Sequence, residues 1–197
     1  MTGLDASEAL LEIAAERNPD ADLRHGDLEE LPFGDNEFDA VTSFNAVQYA
    51  ADQEAAVREL HRVAKPGGRV ALVAWGRPEQ CESAVILGAL GKLMPPPPPG
   101  AAHGGPFALA EPGRLEAVAE AAGLTVEKGG DAPMAFEFPD VATAVAAQLT
   151  SGPARVAIEH SGEAAVRDAL TEAYAGSRQP DGTYRQANVF RYVVAHK

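Results

Sequence analysis

Two acidic residues, far apart along the chain, stand where ligand chemistry can begin: Asp5 in Gly3-Leu4-Asp5-Ala6-Ser7 and Asp27 in Gly26-Asp27-Leu28. Thr2–Leu4 reads as the tail of a buried strand, so Asp5 falls at a strand's carboxyl end, just before a helix. In open parallel sheets, ligands bind beyond the carboxyl ends of the strands. A carboxylate there, with Ala6 beside it, can accept both hydroxyls of a ribose. A local role competes, because Asp5 with Glu8 three positions on has the spacing of a capping box. Asp27 follows a short strand over Leu23–His25. An acid at that turn can accept an adenine amino group, and Leu28 can press an apolar face on the ring. Alone, Asp27 reads as the residue of an Asx-turn; paired with Asp5, it reads as a ligand position.

Phe44 and Asn45 end the next apolar, β-prone run, Phe38–Phe44. Their backbone and the Asn45 amide can meet a ligand's polar end, although Asn45 equally suits a turn. Gln48 and Tyr49 follow as substrate-side candidates facing the same cleft, against a plain reading as helix-end surface. His103, in a loop rich in glycine and proline, can reach a cleft. None of the five histidines has a partner at metal-ligand spacing, so no metal site is predicted. His61 reads as surface, and no catalytic base is assigned. Cys81 has no activating neighbour beyond Arg77 and reads as an ordinary thiol.

These residues need strands and helices to hold them. Leu10, Leu11, Ala14 and Ala15 fall on one helical stripe, which Asn18-Pro19 ends. Pro32-Phe33-Gly34-Asp35-Asn36 is a loop with turn chemistry. Asp52 is an N-cap for a helix carrying Val57, Leu60 and Val63. Lys65-Pro66-Gly67-Gly68 stops that helix, and Arg69–Trp75 is a near-continuous apolar strand. Such alternation predicts an α/β sheet with parallel pairing. Beyond it, Met94–Gly100 reads as a stiff linker. Pro112–Ala122 reads as a helix with Leu115, Val118 and Ala119 inward and Gly123 just past its end. Strand pieces are predicted at Thr125–Glu127 and Ala135–Phe138, helices at Asp140–Leu149 and Glu163–Ala175, and a β-rich close at Thr183–Ala195. The expected organisation is one domain over 1–197. It divides into a partial cofactor core (1–76), a linker, helix and strand (77–138), a helical cover (139–182) and a last strand (183–197).

The chain has 197 residues, 46% of them hydrophobic and 23% charged, which suits a globular domain. A net charge of −13 repels phosphate backbones and anionic lipid surfaces, which argues against nucleic-acid and membrane partners. One cysteine excludes an internal disulfide framework and suits a reducing, cytoplasmic location.

The runs GLDAS, GDLEELPFGDNEFDAV and DQEAAVRELHRVAKPGGRV, over about residues 3–75, resemble the class I S-adenosylmethionine-dependent methyltransferases, in particular the group of ubiquinone and menaquinone biosynthesis. FALAEPGRLEAVAEAAGL and NVFRYVVAHK resemble later elements of the same enzymes. The resemblance implies a Rossmann-like sheet with helices on both faces and an antiparallel last strand. It implies S-adenosylmethionine as cofactor, with Asp5 and Ala6 at the ribose, Asp27 and Leu28 at the adenine, and Phe44 and Asn45 at the methionine portion. The implied reaction is in-line methyl transfer to a small molecule. In the family, a strand, a glycine-rich loop and a helix come before the segment that Thr2–Asp5 matches. The strand lies between those ending at Asp5 and Phe44. The expectation is therefore an N-terminally truncated sheet, its start assigned late.

No Asn/Asp-Pro-Pro-Tyr motif follows Phe44, which points away from nitrogen acceptors. Two rival readings stand beside the methyltransferase. A dinucleotide-dependent oxidoreductase also places acids after these strands, but Tyr49 is followed by Gln53 and Tyr184 by Asn188, so a Tyr-x-x-x-Lys pair is missing. A non-catalytic binding protein, or a homo-oligomer joined through exposed strand edges, is the other.

Overall fold

A computed structural model describes residues 1–96 and 104–197. His103 and most of the proline linker lie outside the described residues, and the expectations placed on them go no further. The chain divides into two compact units, one of Met1–Trp75, His103–Asp131 and Arg191–Lys197, the other of Gly76–Ala102 and Ala132–Phe190.

The first unit begins with strand β1 (Thr2–Asp5), helix α1 (Glu8–Arg17) and strand β2 (Asp22–His25). β1 and β2 pair in parallel as a sheet of their own. Helix α1 is more exposed than its stripe predicts. Leu11 and Ala14 are half-buried and Leu10 and Ala15 exposed, because the helix covers only this two-stranded sheet. Strand β3 (Phe38–Phe44), helix α2 (Gln53–Val63) and strand β4 (Ala64–Trp75) follow, with β3 and β4 parallel. Asp52 caps α2 as expected, accepting the Ala55 N–H at 2.8 Å. The strand after α2 starts at Ala64 rather than Arg69. Its register jumps from Phe38↔Ala64 to Ala40↔Arg69, so Lys65-Pro66-Gly67-Gly68 forms a bulge inside the strand.

Val70, Leu72 and Ala74 of β4 are buried with Val57, Leu60 and Val63 of α2 and with Leu115, Val118 and Ala119 of α4 (Arg114–Ala121). Gly123, at φ 89°, reverses the chain after α4, and the Leu124 N–H returns to the Ala119 carbonyl at 3.1 Å. The sheet order is β3-β4-β6-β5, with β5 at Thr125–Phe138 and β6 at Tyr184–His196. The two predicted strand pieces are thus one continuous strand. β6 runs antiparallel to β4: backbone bonds join Gly67 and Gly68 to Lys197 at one end, and Gly76 to Val189 past the other. The sheet is therefore mixed, as the expected antiparallel last strand requires.

The second unit packs α3 (Ser83–Gly91), α5 (Val141–Leu149), α6 (Gly152–Ser161) and α7 (Glu163–Tyr174) around Ile86, Leu90, Val145, Ala157, Leu170 and Tyr174. Helices α3 and α6 are not anticipated from sequence.

Candidate functional site

Parallel pairing of β1 with β2 sets Asp5 opposite His25, and the Gly26 N–H donates to the Asp5 carbonyl at 3.2 Å. Asp5 and Asp27 therefore stand at neighbouring strand ends. The link is reinforced where His25 Nε2 meets the Ala6 carbonyl at 3.1 Å. Asp5 is not the cap of α1. Ser7 is, its hydroxyl accepting the Leu10 N–H at 3.4 Å, and Asp5 Oδ1 accepts the Ser7 N–H at 2.8 Å. The capping-box alternative is overturned because two further residues separate the strand from the first helical turn. Asp5 Oδ2 keeps no hydrogen bond among the described residues.

Asp27 does hold its turn: Oδ1 accepts the Glu29 N–H at 2.8 Å. Its side chain is exposed, and among the described residues its other oxygen has no hydrogen bond. Leu28 is half-buried against the core. The loop from Asp27 to Asn36 is held at two points that the sequence reading missed. Glu29 Oε1 accepts the Ala51 N–H at 2.7 Å and the Asp52 N–H at 3.2 Å. Arg62 donates to the Leu31 and Phe33 carbonyls at 3.0 and 2.8 Å, and Glu59 accepts the Leu31 N–H at 2.8 Å. The signal was available as an acid–arginine pair three apart on α2. Hydrogen bonding to Arg62 holds the Glu59 carboxyl below its ordinary range.

At the carboxyl end of β3, Phe44 is 66% exposed. Asn45 takes a left-handed backbone, φ 51°, while its N–H donates to the Val73 carbonyl at 2.8 Å. Gln48 is fully buried, which corrects its reading as helix-end surface. The Gly105 N–H donates to its carbonyl at 3.0 Å. Among the described residues, neither amide atom of Gln48 makes a hydrogen bond of good geometry, nor do the buried Ser43 Oγ and Asn45 Oδ1. Tyr49 is exposed by about half, and partial burial pushes its phenol up. His61 is half-buried rather than on the surface, and burial lowers its pKa. The Cys81 thiol is buried, donates to the Val189 carbonyl at 3.4 Å and is pushed up by burial. Among the described residues, no cluster of three metal-ligating side chains forms.

A cavity of about 620 Å³ runs between β1 and β3. Asp5, Leu28 and Phe44 line it; Ala6, Asp27, Asn45, Gln48 and Tyr49 do not. Its size is that of a small-molecule site.

Parallel strands joined through helices, with acids at the carboxyl ends of two adjacent strands, make a Rossmann-like α/β arrangement. Comparison makes the class narrower. Residues 1–72 match the family model described as a methyltransferase domain. Demethylmenaquinone methyltransferase of Listeria welshimeri is 41% identical over 83 residues, covering 40% of this chain and 35% of that one. The enzyme of the same name from Staphylococcus epidermidis is 41% identical over 81 residues, with 40% and 34% covered. The chain thus spans about a third of the length of these curated relatives. The crystal structure of the YcgJ protein of Bacillus subtilis superposes with a TM-score of 0.59 at 20% identity, over 100% of this chain and 81% of that one. Geranyl diphosphate methyltransferase, solved in complex with S-adenosylmethionine, gives 0.52 at 15% identity, over 99% and 67%. The fold is the Rossmann-like α/β fold of these solved structures. Among the described residues, no helix is long and apolar enough to cross a membrane.

Proposed function

We propose that this chain works as an S-adenosylmethionine-dependent methyltransferase on a small-molecule acceptor. The observation that carries the reading is the uncommitted Asp5 carboxylate oxygen at the end of β1, tied through Gly26 to the Asp27–Leu28 turn and open to the cavity.

The residues fit the cofactor. Asp5, beside Ala6, would accept from the ribose hydroxyls. Asp27 would accept from the adenine amino group while Leu28 covers the ring. Phe44 and Asn45 would face the methionine portion, where the orphaned Asn45 Oδ1 and Ser43 Oγ have unused hydrogen-bonding capacity. When bound, the cofactor supplies a methyl group on a sulfonium sulfur, open to in-line displacement. The chain's residues orient and shield it. No residue is assigned as a base, and an acceptor that is already nucleophilic needs none.

The acceptor reading rests on the names of the relatives, which act on a demethylmenaquinone, and on the strongly acidic chain, which disfavours polyanionic substrates. Titration with S-adenosylhomocysteine in a calorimeter tests the cofactor. Binding by the native chain, lost by at least tenfold in Asp5→Ala with the circular dichroism unchanged, is the expected result. Equal affinity in both proteins overturns it.

A further inference from the structure

Helix α3 has no charged side chain from Ser83 to Gly91, and its only polar residue is Ser83 in the first turn. A helix apolar on every side is ordinarily covered on every side. This one is covered on one side only. Ile86 and Leu90 are buried with Leu170 and Tyr174 of α7, whereas Val85 is 61% exposed and Gly88 has open space where a Cβ would stand. An open groove of about 680 Å³ runs between the two helices, with Val85 and Gly88 on one wall and Ala173 on the other. Two charges line the same groove, Lys92 just past α3 and Glu172 on α7. Both are exposed, and among the described residues neither has an ion-pair partner.

We propose that this groove is the contact between two copies of the chain related by a two-fold axis, the α3–α7 face of one seated on that of the other. In such a contact each feature meets its counterpart twice. Lys92 of each copy meets Glu172 of the other, so two unpaired charges of opposite sign on one surface become two ion pairs. Val85 of each copy fills the space over Gly88 of the other, a knob and a hole about one turn apart on the same helix. A small molecule is the wrong occupant. None of the buried side-chain atoms left without a partner belongs to a residue of the groove, so no polar group there waits to orient one. Two copies that each carry a net charge of −13 repel at long range, and a pair of local ion pairs on an apolar patch offsets that where the surfaces touch. Both helices belong to the second unit, so the contact does not depend on the methyl-transfer reading, which concerns the first.

The test is sedimentation equilibrium on the 197-residue chain and its variants. The expected result is a monomer–dimer equilibrium with a dissociation constant of about 1–100 μM, as suits a small contact. Lys92→Glu alone, or Glu172→Lys alone, sets like charges face to face and should weaken the dimer by about tenfold or more. The double swap, Lys92→Glu with Glu172→Lys, should return it to within about threefold of the native value. Val85→Asp places an acid at an exposed position in the first turn of α3, where it suits the helix, and should abolish the dimer with the circular dichroism unchanged. The proposal is overturned by a native chain that stays monomeric up to about 1 mM. It is overturned equally by a dimer that none of the variants weakens, or by a double swap that dimerises as weakly as the single ones.

Discussion

Glu59 accepts two hydrogen bonds from Arg62 one turn further along α2, each at 2.7 Å, and the pair faces the loop after β2 rather than solvent. Three backbone groups of that loop are consumed by it: the N–H and carbonyl of Leu31 and the carbonyl of Phe33. Leu28, Leu31 and Phe33 line the cavity from the same loop, so the last turn of α2 sets the position of one cavity wall.

This relationship gives the protein a defined acid limb. The Glu59 carboxyl is lowered from 4.5 by its bonds to Arg62 and Leu31. A carboxylate depressed in the folded state contributes stability that is fully present above its unfolded value and is lost as pH falls through the folded value. Urea midpoints should therefore decline as pH drops below about 4.5. Glu59→Gln should flatten that decline and, at neutral pH, cost about 2 kcal/mol through the weakened charge-assisted bonds. An unchanged acid limb in the variant would remove Glu59 from this role.

Asp27 holds a turn and is also proposed to bind adenine, and one substitution separates the two. Asp27→Asn keeps an oxygen for the Glu29 N–H, so thermal stability should stay within about 0.5 kcal/mol. Affinity for S-adenosylhomocysteine should fall several-fold as the carboxylate charge is removed. Full affinity in calorimetry would leave Asp27 as a turn residue only.

Gln48 is buried and, among the described residues, neither amide atom makes a hydrogen bond of good geometry, an arrangement that costs about 1–3 kcal/mol. Gln48→Met fills similar space without polar atoms. The ligand-free protein should gain about 1 kcal/mol in urea denaturation, while methyl transfer to the acceptor should fall if the amide faces substrate. Lower stability in the variant would show that the amide is hydrogen-bonded in solution.

Two glycines should respond in opposite senses to alanine. At Gly68, in the β4 bulge, an added Cβ would stand 2.8 Å from the Lys65 carbonyl oxygen and 3.1 Å from that of Asp39. Backbone cannot give way as a side-chain end can, and a loss of about 1–3 kcal/mol is expected. Gly88, inside α3, has open space around its Cβ position, so Gly88→Ala should stabilise by up to about 1 kcal/mol through helix propensity. Chemical denaturation of the two variants checks both signs.

Local chemistry made much of this molecule legible in advance. Asp52 as a cap, Gly123 as the residue past α4, and the inward trio Leu115, Val118 and Ala119 all follow from rules that act within one turn of chain. Helix α3 escaped because Ser83–Gly91 is apolar all round and shows no amphipathic period, and α6 lies inside the expected helical cover without having been resolved as a separate helix. The continuity of β5 through Gly129 and Gly130 was hidden for the same kind of reason: paired neighbours, not propensity, keep that segment extended.

The residue types at Asp5, Asp27, Leu28 and Phe44, and their places at strand ends, were settled by the sequence itself, because strand and turn preferences are short-range. Folding alone decided that Ser7 takes the helix cap and frees one Asp5 oxygen, that Gln48 is sealed from water, and that β1 and β3 face one another across a cavity. Those outcomes depend on which strand edges meet, and edge pairing is set by contacts between residues tens of positions apart.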